Sequence, residues 1–204
     1  MMRATPEEKE SLDAVKERTG GRSAKVREAV LQAARQILME QGANALTHRN
    51  VAQLAGVNAS TVYRRWPDRA RLIADVFKNT AESMVRIPDS GSLSLDLLQF
   101  LQMITAMLYS AEGRKLVQGA ISATSSGDDM VESAIRDVWE QRFQQAEMIF
   151  EQAVLRGEEG YKGQRKGILE TLIAPVWFRV LITQEPVDEE YLVANISRIL
   201  KQMP

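Results

Sequence analysis

Cysteine is absent from this chain of 204 residues, and histidine occurs once, as His48. Without cysteine, disulfide scaffolds, thiolate zinc sites and cysteine nucleophiles are excluded. A single imidazole also excludes a metal site of several histidines, and a serine–histidine–aspartate triad would have to use it. The sequence has no glycine-rich phosphate-binding loop either, so we expect no metal and no cofactor.

Long hydrophobic runs are missing as well. No apolar stretch approaches the roughly 18–20 residues that span a membrane. The first 21 residues lack the apolar region of a secretory signal. We therefore expect a cytoplasmic protein without a membrane partner. Since 45% of the residues are apolar, the chain can still bury a sizeable core.

Charge is distributed unevenly, although the net charge is only −1. Residues 18–72 carry ten Lys and Arg against three acidic residues, whereas the rest of the chain carries 16 basic and 24 acidic residues. A basic N-terminal third on an acidic remainder is typical of a DNA-binding head joined to a regulatory body. A solvated charged face is the alternative interpretation.

Helical periodicity extends over most of the chain, and no alternating strand pattern is present. The sequence therefore predicts an all-α fold with about nine helices. Residues 1–21 are polar and end in two glycines, which indicates a flexible N-terminal arm. Ser23 is predicted to cap the next helix, and Gly42 to end it. The nearly all-apolar segment 93–110 predicts a buried central helix.

Two short helices across a tight turn are predicted between Thr47 and Arg65. Thr47 can cap the first helix, and Gly56 can adopt a positive φ in the turn. The small side chain of Ala52 allows close helix contact, while Val62 fills the angle between the helices. This spacing is typical of a helix-turn-helix. The rest of its small core is assigned to Val51, Leu54 and Val57.

The second short helix has two different faces. Val62 and Trp66 point inward, while small, hydroxyl and arginine side chains form an outer face that suits the major groove. Helix N-termini attract phosphate through their free N–H groups, so the start of each helix is expected near the DNA backbone. The candidate DNA-binding residues are Thr47, His48, Arg49, Asn58, Ala59, Ser60, Thr61, Tyr63 and Arg64.

Individual roles follow from side-chain chemistry. Arg64 can read guanine through two parallel hydrogen bonds, and the hydroxyl of Tyr63 can donate to a phosphate. His48 either touches a phosphate or is simply exposed. The alternative for Tyr63 and Trp66 is that they are core aromatics, an interpretation that we favour for Trp66 alone.

Residues 24–72 resemble the DNA-binding domain of TetR-family transcriptional repressors. The resemblance rests on Thr47 followed by residues 51–57 (VAQLAGV), and on residues 61–72 (TVYRRWPDRARL). The YRRWP form at residues 63–67 is similar to one subgroup of the family. Arg69 stands where the family usually has lysine, and the resemblance implies a phosphate contact for it.

The resemblance also implies an organisation and a partner. Residues 22–67 would form the DNA-binding domain, and residues 68–204 a linker helix with a ligand-binding and dimerisation domain. Two copies would associate through residues 168–202 and bind a palindromic operator in double-stranded DNA. A small apolar or aromatic effector, bound among the middle helices, would release the operator.

A ligand pocket in such a domain would be lined by large or adaptable apolar side chains. The candidates are Met103, Met107, Trp139, Phe143, Phe150 and Trp177, with an ordinary hydrophobic core as the alternative for each. Thr105, Gln118 and Ser122 are candidates for polar contacts. Pro175 is predicted to remove one backbone hydrogen bond from its helix and to kink it.

Two other functions are weighed against a ligand-released repressor. One is a DNA-binding regulator controlled by a protein partner, without a small-molecule effector; a persistent cavity would argue against it. The other is a helical enzyme with an incidental helix-turn-helix. The absence of cysteine, the single histidine and the lack of a phosphate-binding loop make an enzyme the weaker interpretation.

Overall fold

A computed structural model describes residues 6–125, 127–159 and 161–202, with side chains within 23–201. Over these ranges the chain forms nine α-helices and no strand, which confirms the all-α prediction. The chain divides into two compact units, Met1–Leu72 and Ile73–Pro204. The division lies inside the fourth helix, and the functional boundary at residue 67 stays a prediction.

The first unit contains the helices α1 (Pro6–Gln41), α2 (His48–Leu54) and α3 (Ala59–Arg65), and the start of α4 (Arg69–Met84). A short 3-10 turn, Ala43–Ala45, joins α1 to α2. Helices as short as α2 and α3 are not stable alone, so packing must hold them. The buried side chains that do so include Val30, Ala34, Ile37, Leu46, Val51, Val62, Trp66 and Leu72.

The beginning of α1 differs from the prediction. The helix begins at Pro6 and continues through Gly20 and Gly21, so Ser23 does not cap it. Proline suits a first helical position, and a glycine weakens a helix by only about 1 kcal/mol without blocking its hydrogen bonds. Residues 1–5 and the side chains of residues 6–22 lie outside the described part, so the flexible arm remains a prediction.

The second unit contains the rest of α4 and five further helices. These are α5 (Leu93–Tyr109), α6 (Ala111–Ala123), α7 (Asp129–Leu155), α8 (Arg165–Trp177) and α9 (Glu189–Gln202), with a π-helical segment, Phe178–Thr183, directly after α8. Side chains of Ser92, Ser110 and Asp128 cap α5, α6 and α7. Helix α5 is the central helix that its apolar sequence predicts; its buried side chains include Leu97, Phe100, Leu101, Ile104 and Leu108.

A close approach of backbones shapes the corner between α5 and α6. The two helices meet at 87°. A Cβ atom on Gly113 would lie 2.0 Å from the carbonyl oxygen of Met107. Only glycine fits this position, and Ser110 secures it by accepting a hydrogen bond of 2.9 Å from the Gly113 amide.

Pro175 lies inside α8 without ending it. The helix continues to Trp177 and then widens into the π-helical segment, which ends at Gln184 in a left-handed conformation. A proline removes one donor from the helical ladder, and a π-turn is one way in which a helix accommodates such a defect.

Arg156 fastens the C-terminal end of α7 to the start of α5. Its guanidinium lies 2.8 Å from the carboxylates of both Asp89 and the fully buried Asp96, and 2.9 Å from Glu158. Glu158 in turn accepts a hydrogen bond of 2.9 Å from the Leu93 amide. That bond, together with Arg156, holds the pKa of Glu158 below its ordinary value.

Among the helices of the described ranges, none is by itself long and apolar enough to cross a membrane. Helices α5 and α6 meet that criterion only as a bent pair.

Candidate DNA-binding surface and ligand cavity

The predicted cap of α2 is present. Thr47 Oγ1 accepts a hydrogen bond of 3.2 Å from the Asn50 amide. The Asn50 side chain donates to the Ala45 carbonyl at 2.9 Å, which ties α2 to the turn before it. Thr47 and Arg49 are exposed at the start of the helix. The turn to α3 passes through Gly56 at a φ of 65°, as its position in the motif predicts.

Helix α3 is also capped by a side chain. Asn58 Oδ1 accepts hydrogen bonds of 2.9 Å from both the amide and the hydroxyl of Ser60. Asn58, Ser60, Tyr63 and Arg64 are exposed, while Ala59 and Thr61 are half-buried. The outer face of α3 thus carries a hydroxyl, a phenol and a guanidinium side by side.

The inner face of α3 packs on α2 through a small apolar core. Val51, Ala52, Val62 and Trp66 are buried, as the motif predicts. The assignment of Leu54 to this core is wrong, because its side chain is 48% exposed at the last residue of α2.

His48 has a position that neither sequence interpretation anticipated. It is buried, and its Nε2 lies 2.7 Å from the carbonyl oxygen of Trp66. Since a carbonyl can only accept, Nε2 carries the proton. The imidazole also stacks on the ring of Tyr63, with centroids 4.2 Å apart and an interplanar angle of 9°. His48 is therefore a packing residue beneath the outer face and not an exposed group, while a phosphate contact of its ring stays a prediction.

Arg69 is placed differently from the phosphate contact that the resemblance implies. Its guanidinium donates to the carbonyls of Ala43 at 2.6 Å and Leu46 at 3.2 Å. These carbonyls belong to the 3-10 turn and its end, where the helical ladder offers them few donors. Arg69 thus fastens the start of α4 to the turn that precedes α2. Arg65 similarly fastens the end of α3 to α1, since its guanidinium donates to the Ser23 carbonyl at 3.0 Å.

The second unit contains a cavity of about 650 Å³. Its wall is formed by α4 to α8 and the π-helical segment, and nearly all of the surface that faces it is apolar. The aromatic side chains in the wall are Phe77, Phe100, Trp139, Phe143, Trp177 and Phe178. Trp139 and Trp177 meet edge to face, with centroids 5.7 Å apart at 74°.

Four of the six predicted pocket residues line this cavity: Met107, Trp139, Phe143 and Trp177. Phe150 and Met103 do not. Phe150 is fully buried and packs edge to face on Tyr161, with centroids 6.3 Å apart. Met103 packs against the core of the unit. For these two residues the hydrophobic-core alternative describes the structure.

The polar residues of the wall are not the predicted ones. Gln118 and Ser122 are exposed on α6, and the hydroxyl of the buried Thr105 donates to the Leu101 carbonyl at 2.7 Å. The wall contains Thr124, Arg142 and Glu170 instead. The sequence does not single out Arg142 and Glu170 as wall residues, because both lie in segments rich in other charged residues.

Arg142 is the half-buried cation of the cavity wall. Its guanidinium donates at 2.8 Å to the carbonyl of Val85 and at 2.8 Å to the side chain of Gln145. Burial lowers the pKa of Arg142, and the nearby carboxylate of Glu82 opposes this shift. Among the described residues, no group of three or more His, Cys, Asp or Glu side chains could hold a metal ion.

Comparison with known proteins assigns both units to one family. Residues 30–76 match the family described as "Bacterial regulatory proteins, tetR family", and residues 87–199 match "Tetracyclin repressor-like, C-terminal domain". The second match alone covers more than half of the chain. It extends the resemblance from the helix-turn-helix into the region whose sequence carries no short motif.

Individual relatives agree with this assignment. The chain is 34% identical over 137 residues to the HTH-type transcriptional regulator AqdR of Rhodococcus erythropolis, covering 67% of this chain and 65% of AqdR. The crystal structure of the TetR family transcription regulator SCO0332 aligns with a TM-score of 0.69 at 28% identity, covering 87% of this chain and 97% of that one.

A third similarity concerns the fold alone. The multidrug binding protein EbrR, solved in complex with ethidium, aligns with a TM-score of 0.59 at 20% identity, over 88% of this chain and 99% of EbrR. Taken with the capped helix-turn-helix and the all-α second unit, the two family matches settle the assignment. The chain belongs to the TetR family of bacterial DNA-binding transcriptional regulators, and it is a regulator rather than an enzyme.

Proposed function

We propose that this protein is a cytoplasmic, homodimeric repressor that binds a palindromic operator and is released by a small apolar or aromatic effector. The observation that carries the proposal is the outer face of α3. There Tyr63 and Arg64 are exposed beside Val62, which is completely buried. A short, well-capped helix that presents such side chains suits the major groove.

The residues divide into three kinds of DNA contact. Arg64, Ser60 and the half-buried Ala59 and Thr61 face the bases, with Arg64 reading guanine. The phenol of Tyr63 and the exposed Arg49 contact phosphates, which set the register of the head on the duplex. The N-termini of α2 and α3, with their caps Thr47 and Asn58, add amide contacts to the DNA backbone.

Two residues from the predicted set support the head rather than the DNA contact. His48 holds the ring of Tyr63 from below, and Arg69 holds the 3-10 turn that leads into α2. We assign both of them to positioning.

Dimerisation through residues 168–202 is supported by apolar side chains that remain exposed in the single chain. Phe178 is 56% and Ile182 67% exposed on the π-helical segment, and Val193 is exposed on α9. Large apolar side chains that stay exposed are a feature of interaction surfaces. A two-fold dimer would read two related half-sites.

The effector role is supported by the cavity. A volume of about 650 Å³ is within the usual range of small-molecule sites, roughly 300–1,000 Å³. EbrR, which shares the fold, binds ethidium. By linkage, an effector releases DNA only if it binds the DNA-incompetent state more tightly. The cavity favours this control over a protein partner acting alone.

The proposal is tested by selecting bound sequences from a pool of random DNA duplexes, with purified protein at one fixed salt concentration. We expect a palindrome with two half-sites about one helical turn apart. A matched selection with the Arg64→Ala variant is expected to lose preference at one base position in each half-site. Recovery of asymmetric or unrelated sequences by the unmodified protein would contradict the proposal.

A further inference from the structure

The cavity wall offers a ligand many aromatic carbons and few polar atoms. Six aromatic side chains line it, and only two of its lining residues, Arg142 and Glu170, are charged. A charge buried in apolar surroundings is costly unless a partner of opposite sign pairs with it. The charge that a ligand can carry therefore depends on what these two residues can offer.

Arg142 is bound by neutral acceptors of the protein, which leave its charge uncompensated. Two of its terminal nitrogens already donate to the Val85 carbonyl and to Gln145, each at 2.8 Å. Its positive charge nevertheless remains in the wall, away from most of the solvent. Burial lowers the pKa of this guanidinium, which indicates that the surroundings already disfavour positive charge. A second cation in the cavity would be repelled.

Glu170 is a weak partner for a cation. It is exposed on α8, so solvent and salt screen its carboxylate. Lys166, one turn earlier on the same helix, is paired first with Glu140, which together with Glu170 and Glu147 raises the pKa of Lys166. Lys166 lies 5.9 Å from the ring of Phe143, another residue of the wall. Near the rim Glu170 is therefore a solvent-screened carboxylate rather than a buried partner for a cation.

We propose that the cavity selects neutral aromatic ligands and rejects those with a permanent positive charge. The inference rests on the proposed effector role of the cavity and names the chemistry of its ligand. This selectivity would distinguish the chain from EbrR, which has the same fold and was solved with the aromatic cation ethidium.

Equilibrium dialysis of the purified full chain with three probes of similar shape tests the inference. The probes are neutral phenanthridine, the cation N-methylphenanthridinium and the anion phenanthrene-9-carboxylate. We expect phenanthridine to bind and the cation to bind more weakly by roughly tenfold or more, since an unpaired charge is buried poorly. The anion should bind at least as well as the cation, because Arg142 repels only positive charge. Equal or tighter binding of the cation overturns the inference, and so does a failure of phenanthridine to bind.

Two variants identify the cause of the selectivity. In Arg142→Met the cation should gain about tenfold in affinity, while phenanthridine changes by less than about threefold. Arg114→Met, an exposed arginine of α6 outside the wall, is the matched control and should change neither probe. A loss of selectivity in the control, or none in Arg142→Met, overturns the role of Arg142.

Glu170→Gln provides a test that does not depend on the folding of Arg142→Met. Because Glu170 is exposed, its replacement should leave the fold intact and both affinities unchanged. A cation that binds the unmodified chain and is lost in Glu170→Gln would overturn the inference.

Operator selection is measured separately on the same preparation. If the chain selects an operator but the dialysis result fails, only the ligand inference is rejected. If the dialysis result is as expected but no operator is selected, the proposed operator-binding function is rejected.

Discussion

The ring of His48 lies flat beneath the ring of Tyr63, with centroids 4.2 Å apart, while its Nε2 bonds the carbonyl of Trp66 at 2.7 Å. The buried imidazole thus joins the first residue of α2 to the middle and the end of α3. Tyr63 is 52% exposed, so its ring is supported on one side and open to solvent on the other.

This stack predicts different effects for two replacements of His48. His48→Phe keeps a flat ring under Tyr63 and should retain most of the operator affinity. His48→Gln can keep a hydrogen bond to Trp66 but not the stack, and should lose about 0.5–1.5 kcal/mol of binding free energy. Fluorescence anisotropy with labelled operator measures both, and urea unfolding reports their stability.

The same replacements in a Tyr63→Ala background separate positioning from general destabilisation. If His48 acts through Tyr63, the phenylalanine and glutamine variants should then bind operator equally. A persistent difference between them without Tyr63 would refute the positioning role.

Arg64 is predicted to be a base-reading residue. Arg64→Ala should cost about 1–3 kcal/mol on the selected operator and much less on a scrambled duplex. Tyr63→Phe removes only the hydroxyl that is proposed to contact a phosphate, and should weaken binding to both duplexes by a similar factor. Anisotropy titrations of the two duplexes at one salt concentration give the comparison. Equal losses on both duplexes for Arg64→Ala would count against base reading.

Two glycines of the second unit are predicted to respond oppositely to alanine. Gly113→Ala places a Cβ atom 2.0 Å from the Met107 carbonyl oxygen, and such overpacking should lower the free energy of unfolding by about 1–3 kcal/mol. Gly167→Ala meets nothing within 4 Å and should raise it by about 0.5–1 kcal/mol, since alanine favours a helix. Urea unfolding tests both, and a stable Gly113→Ala would contradict the close helix corner.

Glu158 makes stability depend on pH in the acid range. Its pKa is lowered by the Leu93 amide and by Arg156, so the folded state favours the ionised carboxylate. This stabilisation is complete above the ordinary value of 4.5 and is lost as the pH falls through the lower folded pKa. Glu158→Gln should be less stable than the unmodified chain at neutral pH, and the two should converge in acid. Thermal unfolding across this range measures the difference, and a gap independent of pH would argue against the assignment.

Local features of the head were predictable from the sequence. The cap Thr47, the turn at Gly56 and the buried Val62 follow from spacing and backbone preference alone. The contacts of His48 with Trp66 and of Arg69 with Ala43 do not. Each joins a side chain to a backbone carbonyl many residues away, and the sequence contains no periodic signal for such a pair.

The cavity shows the same limit in the second unit. Phe143 and Phe150 lie two turns apart on one side of α7, yet the first lines the cavity and the second packs on Tyr161. An apolar stripe predicts that both are covered, and only the placement of the neighbouring helices decides whether a side chain meets a ligand or a core. Arg142 was missed because its partner, the carbonyl of Val85, is a backbone group.

The central claim is that the outer face of α3 reads a specific DNA sequence. Its most direct test is the equilibrium affinity of the unmodified chain for the selected palindrome and for the same duplex with both half-sites scrambled, at one salt concentration. We expect the palindrome to bind about a thousandfold more tightly or better. Equal affinities would contradict it, since they would leave only the sequence-independent attraction of a basic surface for phosphate.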